Sequence, residues 1–372
     1  MSTLKKLLIL IFLSNKTFKK PLSKDILIVD KDLSNLPMFY FKNITECLDT
    51  RFHIFPNRNL NLYVLVKCFL KFKFSFFSYV CEYIRCVNPK ILLTLIDNNI
   101  LFYRLKKVFP SVKTIMVQNA NRTLYDNDIL SKIKMLKKLH LKVDYYFCFN
   151  KKIGSIFNSF LDCKAIPIGS FRSNFNQRKK IKKKYDFLYI STFRHHEAII
   201  KGEWIFFKNL EKYLISKQKK LYILGSTSKI FKEKEYFKKL LKNIKFEIIE
   251  RNNKRKTYDI LDKSNIIINA GSTAGYEALS RLNKVGFFNF RGNRIPFNSI
   301  NFGWPNSFKS KGIFWTNKNN YKELKRVMDY LNKVSDQKFI SKIKRISKIV
   351  MKSDPDNKIF RSYISKLVNR NL

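Results

Sequence analysis

The segment from Asn265 to Phe290, "NIIINAGSTAGYEALSRLNKVGFFNF", holds the residues whose types and spacing best suit chemistry. A branched apolar run stops at Asn269, small and polar residues follow, and an apolar pattern resumes at Tyr276. A strand, a turn and a helix in this order present unpaired N–H groups and the positive end of a helix dipole, which suits a phosphate. The turn residues and the carboxylate that follows them are Gly271, Ser272, Thr273, Gly275 and Glu277.

The same residues also fit the start of an ordinary helix. Ser272 or Thr273 can cap the helix, and Glu277, which we place in its first turn, can complete a capping arrangement. In that position the carboxylate could equally reach vicinal ribose hydroxyls. Spacing alone does not decide between a capped helix and a phosphate site.

A site of this kind needs a sheet to position it, and the chain alternates short apolar runs with segments of helical period. We predict strands within Asp25–Asp30, Lys90–Asp97, Lys113–Asn119, Val143–Asn150, Tyr185–Ser191, Lys220–Ser226, Lys245–Arg251, Asn265–Asn269 and Lys284–Phe290. We predict helices within Asn99–Phe109, Asp128–Leu141, Gly202–Ser216 and Lys229–Lys242. Alternation of this kind predicts parallel sheets covered on both faces.

The predicted fold class is therefore α/β: two doubly wound, Rossmann-like domains that face each other across a cleft, with a C-terminal helix packing back across both. We place the first domain at residues 1–177, a basic linker at 178–184, the second domain at 185–340 and a helical tail at 341–372. The linker lies in "FNQRKKIKKK" (Phe175 to Lys184), which lacks apolar periodicity and is almost entirely positive. Ligands of such sheets bind at the carboxyl ends of the strands.

Composition limits the classes of function. The 372 residues include 75 Lys plus Arg and 27 Asp plus Glu, for a formal net charge of +48, which alone suggests an anionic partner. The lysines are scattered along the whole chain, so we interpret most of this charge as solvated surface and do not expect specific nucleic-acid binding. Attraction to acidic lipid headgroups is easier to justify. The six cysteines form no CxxC pair and no metal-ligand spacing with the four histidines, so we expect reduced thiols, a cytoplasmic compartment and no metal site.

Two segments raise the question of a membrane. "KKLLILIFLS" near the N-terminus has basic residues and a short apolar core without a small-residue cleavage site, so we interpret it as an amphipathic or buried segment, with a weak signal-anchor as the alternative. The region from Leu60 to Val87 is long enough to span a bilayer but carries five charged residues. A pair of core helices, or a helix lying on a membrane surface, explains it better than a span.

The motifs resemble known families. "SNIIINAGSTAGYEALSRLNKVGFF" is similar to the donor-binding segment of GT-B glycosyltransferases, in which a strand, a turn and a helix bearing a glutamate hold a nucleotide-sugar. "TLIDNNILFYRL", "IMVQNANR", "IPIGSFRSN", "YISTFR" and "STAGYEALSRLNKV", in that order, resemble a bacterial surface-carbohydrate biosynthesis family of GT-B type. Val285, and not a second glutamate, lies eight positions after Glu277, so the stereochemistry of transfer stays open.

The resemblance implies roles on the donor side. Ser272, Thr273 and the backbone near Gly271 and Gly275 would bind the donor's phosphate, and Glu277 would accept hydrogen bonds from the ribose. Arg194 would neutralise the leaving phosphate, as metal-independent transfer requires. Gly225 and Ser226, at the end of the next strand, would place a second turn beside the same nucleotide.

On the acceptor side, polar residues follow the buried strands of the first half. Asp97 is our first choice of general base, because a hydroxyl acceptor must lose its proton, although Asp and Asn also simply end strands and cap helices. His195 or His196 is the alternative base, and adjacent residues cannot share one face. The remaining acceptor-side candidates are Asn98, Gln118, Asn119, Arg122 and, with Asn174 near the predicted hinge, Arg172.

The sequence thus predicts a metal-independent glycosyltransferase that moves a sugar from a nucleotide-sugar to a surface glycan or lipid-linked acceptor. No cofactor is expected, because the nucleotide-sugar is a co-substrate. The predicted location is cytoplasmic, with peripheral contact at the inner face of an anionic membrane. Two alternatives stay open: a non-hydrolysing nucleotide-sugar epimerase, and a non-catalytic protein that binds RNA or membranes.

Overall fold

The computed structural model describes residues 14–30, 35–50, 59–124, 128–176, 178, 181–193, 201–226, 230–251, 254–290 and 300–369. The chain divides into two compact units, and each is formed from separate stretches of sequence. The first unit comprises Met1–Asn119, Ile133–Arg172 and Asn357–Leu372. The second comprises Ala120–Lys132 and Ser173–Asp356. The chain therefore passes from one unit to the other four times.

The first unit is built on a parallel sheet of six strands, in the order β3-β2-β5-β6-β7-β8. Its strands are β2 (Ile26–Val29), β3 (Thr45–Leu48), β5 (Ile91–Thr94), β6 (Lys113–Val117), β7 (Leu141–Cys148) and β8 (Leu161–Pro167). A separate parallel pair joins β1 (Asn15–Thr17) to β4 (Asn59–Asn61). The central strands are buried on both faces, which explains their continuous apolar sequences.

Helices cover this sheet. They are α1 (Asn35–Phe41), α2 (Leu62–Leu70), α3 (Phe76–Val87), α4 (Ile100–Val108), α5 (Ile133–Lys137), α6 (Lys151–Asn158) and α7 (Phe171–Phe175). The last helix of the chain, which we number α14 (Lys358–Leu367), also belongs here. Its Phe360, Ile364 and Val368, just beyond its end, join the core of Ile28, Leu93 and other strand residues.

The second unit has a sheet of seven strands, in the order β11-β10-β9-β12-β13-β15-β14, parallel except for β14. The strands are β9 (Tyr185–Ile190), β10 (Leu221–Leu224), β11 (Phe246–Ile249), β12 (Ser264–Asn269), β13 (Val285–Phe288), β14 (Lys311–Gly312) and β15 (Trp315–Thr316). From β9 the chain first adds β10 and β11 on one side, then β12 and β13 on the other. The order of strands therefore reverses between β9 and β12, which is the position where open α/β sheets bind ligands.

The helices of the second unit are α8 (Lys201–Lys217), α9 (Ile230–Leu240), α10 (Lys254–Asp262), α11 (Thr273–Ser280), α12 (Tyr321–Lys333) and α13 (Asp336–Val350). Residues 173–176 are held here through side chains of their own unit: Asn174 Oδ1 accepts the N–H of Asp354 at 3.1 Å. At the end of the predicted basic linker, Lys183 donates to the carbonyls of Asp262 and Ser264, each at 2.9 Å, and burial lowers its pKa.

All nine predicted strands are confirmed, as are the helices predicted within Asn99–Phe109, Gly202–Ser216 and Lys229–Lys242. The long helix predicted for Asp128–Leu141 is wrong: a 3-10 turn at Ile129–Lys132 precedes the short α5, and Leu141 begins β7. The apolar residues that suggested a continuous helix, Ile129, Leu130 and Leu136, are instead buried from the 3-10 turn and from the short α5. The sequence analysis also missed β8, whose alternate residues are only partly buried.

Two further expectations concern the cysteines and the region from Leu60 to Val87. None of the six cysteines, all of which lie in the described ranges, forms a disulfide. The region from Leu60 to Val87 forms the predicted pair of helices, α2 and α3. Across the described residues, we find no helix with both the length and the apolar character that a bilayer span requires.

Candidate functional site

The turn between β12 and α11 lies at the carboxyl end of the strand next to the reversal point of the second sheet. Asn269 ends β12, and its Oδ1 accepts the N–H of Ser272 at 3.1 Å. Ser272 is the N-cap of α11 and accepts the N–H of Ala274 at 3.3 Å, so the predicted helix cap is confirmed. Gly271 has a φ of +104°, and apart from its chain neighbours no atom of the described residues lies within 4 Å of the position that a Cβ would occupy there. The turn is thus fixed by side chains but open above Gly271.

Gly275 has the opposite environment. A Cβ at this position would lie 2.1 Å from Cγ of Asn269, so only glycine permits this contact between helix and strand. Asn269 is fully buried, and its Nδ2 has no hydrogen-bond partner in the described structure. Close packing at Gly275 therefore brings the first turn of α11 against the end of β12.

The segment that follows β6 packs against this helix start. Asn121 donates its N–H to Oγ1 of Thr273 at 2.9 Å, and Nε1 of Trp304 donates to the carbonyl of Arg122 at 3.0 Å. Arg122 is buried and pairs with Asp128, with Nη1 and Oδ1 3.4 Å apart. We predicted Arg122 as an acceptor-side residue of the first half of the chain. In the structure it belongs to the second unit and lies in the segment that is bonded to Thr273.

Glu277 lies deeper in the helix than we expected. It is the fifth residue of α11, and no acidic residue occupies the first turn, so the placement of Glu277 in the first turn is wrong, and so is the alternative in which it completes a capping arrangement. Gly275 holds the position where a capping box needs its carboxylate or amide. The Glu277 side chain is nevertheless buried, and Glu277 lies one helical turn beyond Thr273.

Tyr276, between these residues, anchors the helix from its other face. Its hydroxyl accepts the N–H of Gly303 at 2.9 Å, and its ring stacks at 6.1 Å on Phe302. Burial raises the pKa of Tyr276 to about 12, so the phenol stays protonated at neutral pH. The aromatic residue of the "GYEAL" motif is therefore structural.

A buried carboxylate that the sequence analysis missed holds the neighbouring strand ends. Glu233, in the first turn of α9, is fully buried and accepts hydrogen bonds from the Ser191 hydroxyl and from the N–H of Ser226, the latter at 3.0 Å. Ser191 follows β9, and Gly225 and Ser226 follow β10. A Cβ on Gly225 would lie 3.3 Å from Oε2 of Glu233. Gly225 and Ser226 thus belong to a turn that is fixed by Glu233, with the exposed Ser226 at its tip.

A buried ion pair fixes the far end of α11. Arg281 contacts Asp262 through both Nη2 and Nε, the latter at 3.1 Å from Oδ1, and Asn283 donates to the same carboxylate at 2.9 Å. The guanidinium also donates to the carbonyls of Ser173, at 3.2 Å, and Asn176. Removing one partner of such a pair leaves an uncompensated charge, so the pair defines the position of α11. In the sequence, the only indication of this ion pair was the positive charge of Arg281, four positions after Glu277.

In the first unit, the predicted acceptor-side residues are mostly engaged with the fold. Asp97 is completely buried; its Oδ1 accepts the N–H of Asn119 at 3.2 Å and its Oδ2 accepts the Tyr146 hydroxyl at 3.2 Å. Oε1 of Gln118 accepts the N–H of Phe149 at 2.8 Å. The half-buried Arg172 donates to the carbonyl of Asn119 at 2.7 Å.

These contacts join the ends of β5, β6 and β7 into one network, and Asp97 is its centre. Asn98, the next residue, is exposed. The contacts give Asp97 a positioning role, and its role as a general base stays a prediction. Arg194, His195 and His196 lie outside the described residues.

Within the described ranges, no group of His, Cys, Asp and Glu side chains is arranged to hold a metal ion. The polar groups around the turn of α11 are hydroxyl, amide and guanidinium groups, which suit hydrogen bonding to phosphate and sugar oxygens.

Comparison with solved structures defines the class of fold. The chain is similar to a UDP-GlcNAc 2-epimerase from Neisseria meningitidis bound to UDP-GlcNAc (10% identity, 93% and 99% of the two chains, TM-score 0.51). It is also similar to the wall teichoic acid polymerase TagF (13%, 94% and 89%, 0.54) and to sucrose-phosphate synthase from Thermosynechococcus elongatus (8%, 93% and 98%, 0.56). The protein has the GT-B fold, as predicted.

The family follows from the sequence. A family described as "putative O-antigen biosynthesis protein" matches residues 115–368, more than half of the chain. The protein belongs to this family, which confirms the resemblance to surface-carbohydrate biosynthesis proteins. No curated protein matches the sequence.

Proposed function

We propose that the protein is a glycosyltransferase that moves a sugar from a nucleotide-sugar to a glycan or lipid-linked acceptor of surface polysaccharide synthesis. One observation carries the proposal: the second sheet reverses its strand order between β9 and β12, and the turn after β12 is open above Gly271. A diphosphate fits this position, because the helix start offers N–H groups and a positive dipole end. The family and the bound UDP-GlcNAc of the structural relative support the same ligand class.

The proposed roles follow from the placement of each residue. The backbone at Gly271 and the hydroxyls of Ser272 and Thr273 bind phosphate oxygens, and Glu277 accepts from the ribose. The turn at Gly225 and Ser226, fixed by Glu233, lies at the end of the strand beside β9 and is proposed to lie beside the same nucleotide. Arg194 is proposed to stabilise the leaving phosphate without a metal ion. Peripheral association with a membrane would bring the enzyme to a lipid-linked acceptor.

The test is nucleotide binding by the purified full chain, measured by thermal shift and calorimetry with nucleoside mono- and diphosphates and their sugars. We expect one diphosphate to raise the melting temperature, and Glu277→Ala to weaken its affinity at least about tenfold through loss of the ribose hydrogen bonds. Glu235→Ala is the matched control, since Glu235 is an exposed carboxylate on α9 of the same unit, paired with Lys238 at 3.0 Å. Equal affinities in the two variants, or no binding by any nucleotide, would refute the proposed site.

The reaction type is tested by product analysis. A transferase gives a new glycoside only when acceptor is present, and chelation of divalent metals leaves its rate unchanged if transfer is metal-independent. Conversion of the sugar with donor alone would instead assign the epimerase alternative. Affinity for RNA that is unaffected by Glu277→Ala and falls steeply with salt would assign the non-catalytic alternative.

A further inference from the structure

The first unit carries an exposed aromatic surface that the nucleotide site does not use. Helices α2 and α3 pack against each other as a hairpin, and the eight residues from Phe69 to Phe76, "FLKFKFSF", are all exposed. We call this segment the hairpin tip. Its Leu70 is 75% exposed, Phe72 84% and Phe74 68%. Val66 and Phe69, in the last two turns of α2, are each 56% exposed. Large exposed apolar patches of this kind mark interaction surfaces.

The backbone conformation of Phe72, in the hairpin tip, is one that does not favour stability. Helix α2 ends in a Schellman motif, in which Phe72 donates to the carbonyl of Phe69 at 2.9 Å and Lys73 donates to that of Cys68 at 2.9 Å. This motif requires the left-handed conformation at the first of the two donor residues, which is Phe72, and Phe72 has a φ of +52°. Glycine or asparagine is the usual residue at this position, and a bulky side chain is strained there. A strained and almost fully exposed phenylalanine is a local cost that folding alone does not explain.

Positive charge surrounds these apolar side chains. Lys67, Lys71 and Lys73 alternate with them, and Glu82 is the only acidic residue between Asn59 and Lys90. Glu82 is buried and lies 2.7 Å from Lys71 and 3.3 Å from Arg85, so it pairs with these two residues, while Lys67 and Lys73 carry their positive charge beside the apolar side chains. Aromatic and aliphatic tips interleaved with lysines match the boundary between headgroups and acyl chains of an anionic bilayer.

We propose that the hairpin tip docks on an anionic lipid bilayer. Leu70, Phe72 and Phe74 insert at the level of the headgroups, while Lys67 and Lys73 contact lipid phosphates. The inference deepens the proposed function, because a transferase acting on a lipid-linked acceptor must reach the membrane that holds it. It names a surface in the first unit that is separate in sequence from the nucleotide turn.

The test is sedimentation of the full-length protein with vesicles of phosphatidylcholine that contain phosphatidylglycerol. Phe72→Asn is the most informative variant, because asparagine tolerates the left-handed conformation and the fold is preserved. We expect vesicle affinity to fall about tenfold, as one lost aromatic anchor implies, with no decrease in melting temperature. Phe231→Asn is the matched control, since Phe231 is 77% exposed on α9 of the second unit; its vesicle affinity should equal that of the wild type.

The charge contribution is tested separately with Lys67→Gln/Lys73→Gln, which leaves the Lys71–Glu82 pair in place. We expect its affinity for anionic vesicles to fall about thirtyfold, and its weak binding to vesicles of phosphatidylcholine alone to stay unchanged.

Three results would overturn the proposal. The first is unchanged vesicle binding in both Phe72→Asn and Leu70→Ser/Phe72→Asn/Phe74→Ser. The second is lipid-free self-association of the wild type that Phe72→Asn abolishes, which would make the hairpin tip a contact between two copies. The third is loss of vesicle binding on deletion of residues 2–13 when the hairpin-tip variants bind normally.

Nucleotide affinity, measured without lipid, keeps this inference distinct from the proposed function. Vesicle binding without any nucleotide binding would refute the transferase and leave the docking surface supported, and the converse result would refute only the docking surface.

Discussion

The carboxyl ends of the strands are constructed differently in the two units. In the first unit they are closed: Asp97 is completely buried, and its two oxygens accept hydrogen bonds from Asn119 and Tyr146. In the second unit, the turn after β12 is open above Gly271, while the side chains below it are tightly fixed by Asn269 and Gly275. Both ends carry the polar residues that suggested chemistry in the sequence.

The difference shows that polar residues at strand ends can serve two purposes. Where donors and acceptors are matched inside the protein, as around Asp97, they fix loops. Where a fixed turn leaves an open position beside a helix start, as at Gly271, the N–H groups can bind a ligand. Three substitutions test this contrast, because each predicts a different ratio of lost stability to lost nucleotide affinity.

The largest effect on stability is expected for Asp97→Ala. The substitution leaves the N–H of Asn119 and the hydroxyl of Tyr146 buried without an acceptor, so the free energy of unfolding should fall by about 3 kcal/mol. Urea denaturation followed by circular dichroism measures this change, and nucleotide affinity should stay within about twofold of wild type. Asp97→Asn, which restores one acceptor, should lose less stability. A change of less than about 0.5 kcal/mol in Asp97→Ala would show that the network is not structural.

An intermediate effect is expected for Gly275→Ala. Its Cβ would lie 2.1 Å from Cγ of Asn269, so α11 must move away from β12, at a cost of about 2 kcal/mol. Because the same movement displaces Ser272 and Thr273, nucleotide affinity should fall together with the melting temperature. A stable Gly275→Ala variant that binds nucleotide normally would contradict the described contact.

The smallest effect on stability, and the most selective effect on binding, is expected for Gly271→Ala. Within the part of the chain that the structure describes, only the chain neighbours of Gly271 come within 4 Å of the added methyl group, so the expected loss of stability is the strain at a φ of +104°, about 1 kcal/mol. The methyl group projects into the open position, where the phosphate is proposed to lie, so nucleotide affinity should fall more than about tenfold, as calorimetry can measure. Loss of stability without loss of affinity would place the ligand elsewhere.

Much of the fold could be predicted because its strands are buried on both faces. A short apolar run lies at the centre of strands such as β5 and β12, and polar residues mark its end, so the type and limits of these strands are local properties of the sequence. The edge strand β8 has no such run and was missed. The helix cap at Ser272 was predicted for the same local reason, because the capping side chain and its N–H lie two residues apart.

The site itself depends on contacts that the local sequence does not encode. Thr273 accepts a hydrogen bond from Asn121, 152 residues earlier, and Arg281 forms an ion pair with Asp262, which precedes strand β12 in the sequence. Arg122 follows a strand of the first unit but belongs to the second, since the chain changes units between Asn119 and Ala120. Position along the chain therefore suggested the wrong neighbours, and only the three-dimensional path of the chain corrects them.

The path of the chain also makes the first unit depend on residues that are synthesised after the second unit. Phe360, Ile364 and Val368 fill its core, and Asn357 donates through Nδ2 to the carbonyl of Phe171 at 3.0 Å. A ribosome must therefore complete the entire second unit before the first can close its core. A premature stop codon near Asn357 would spare the nucleotide turn in its own unit yet remove part of the core of the first unit.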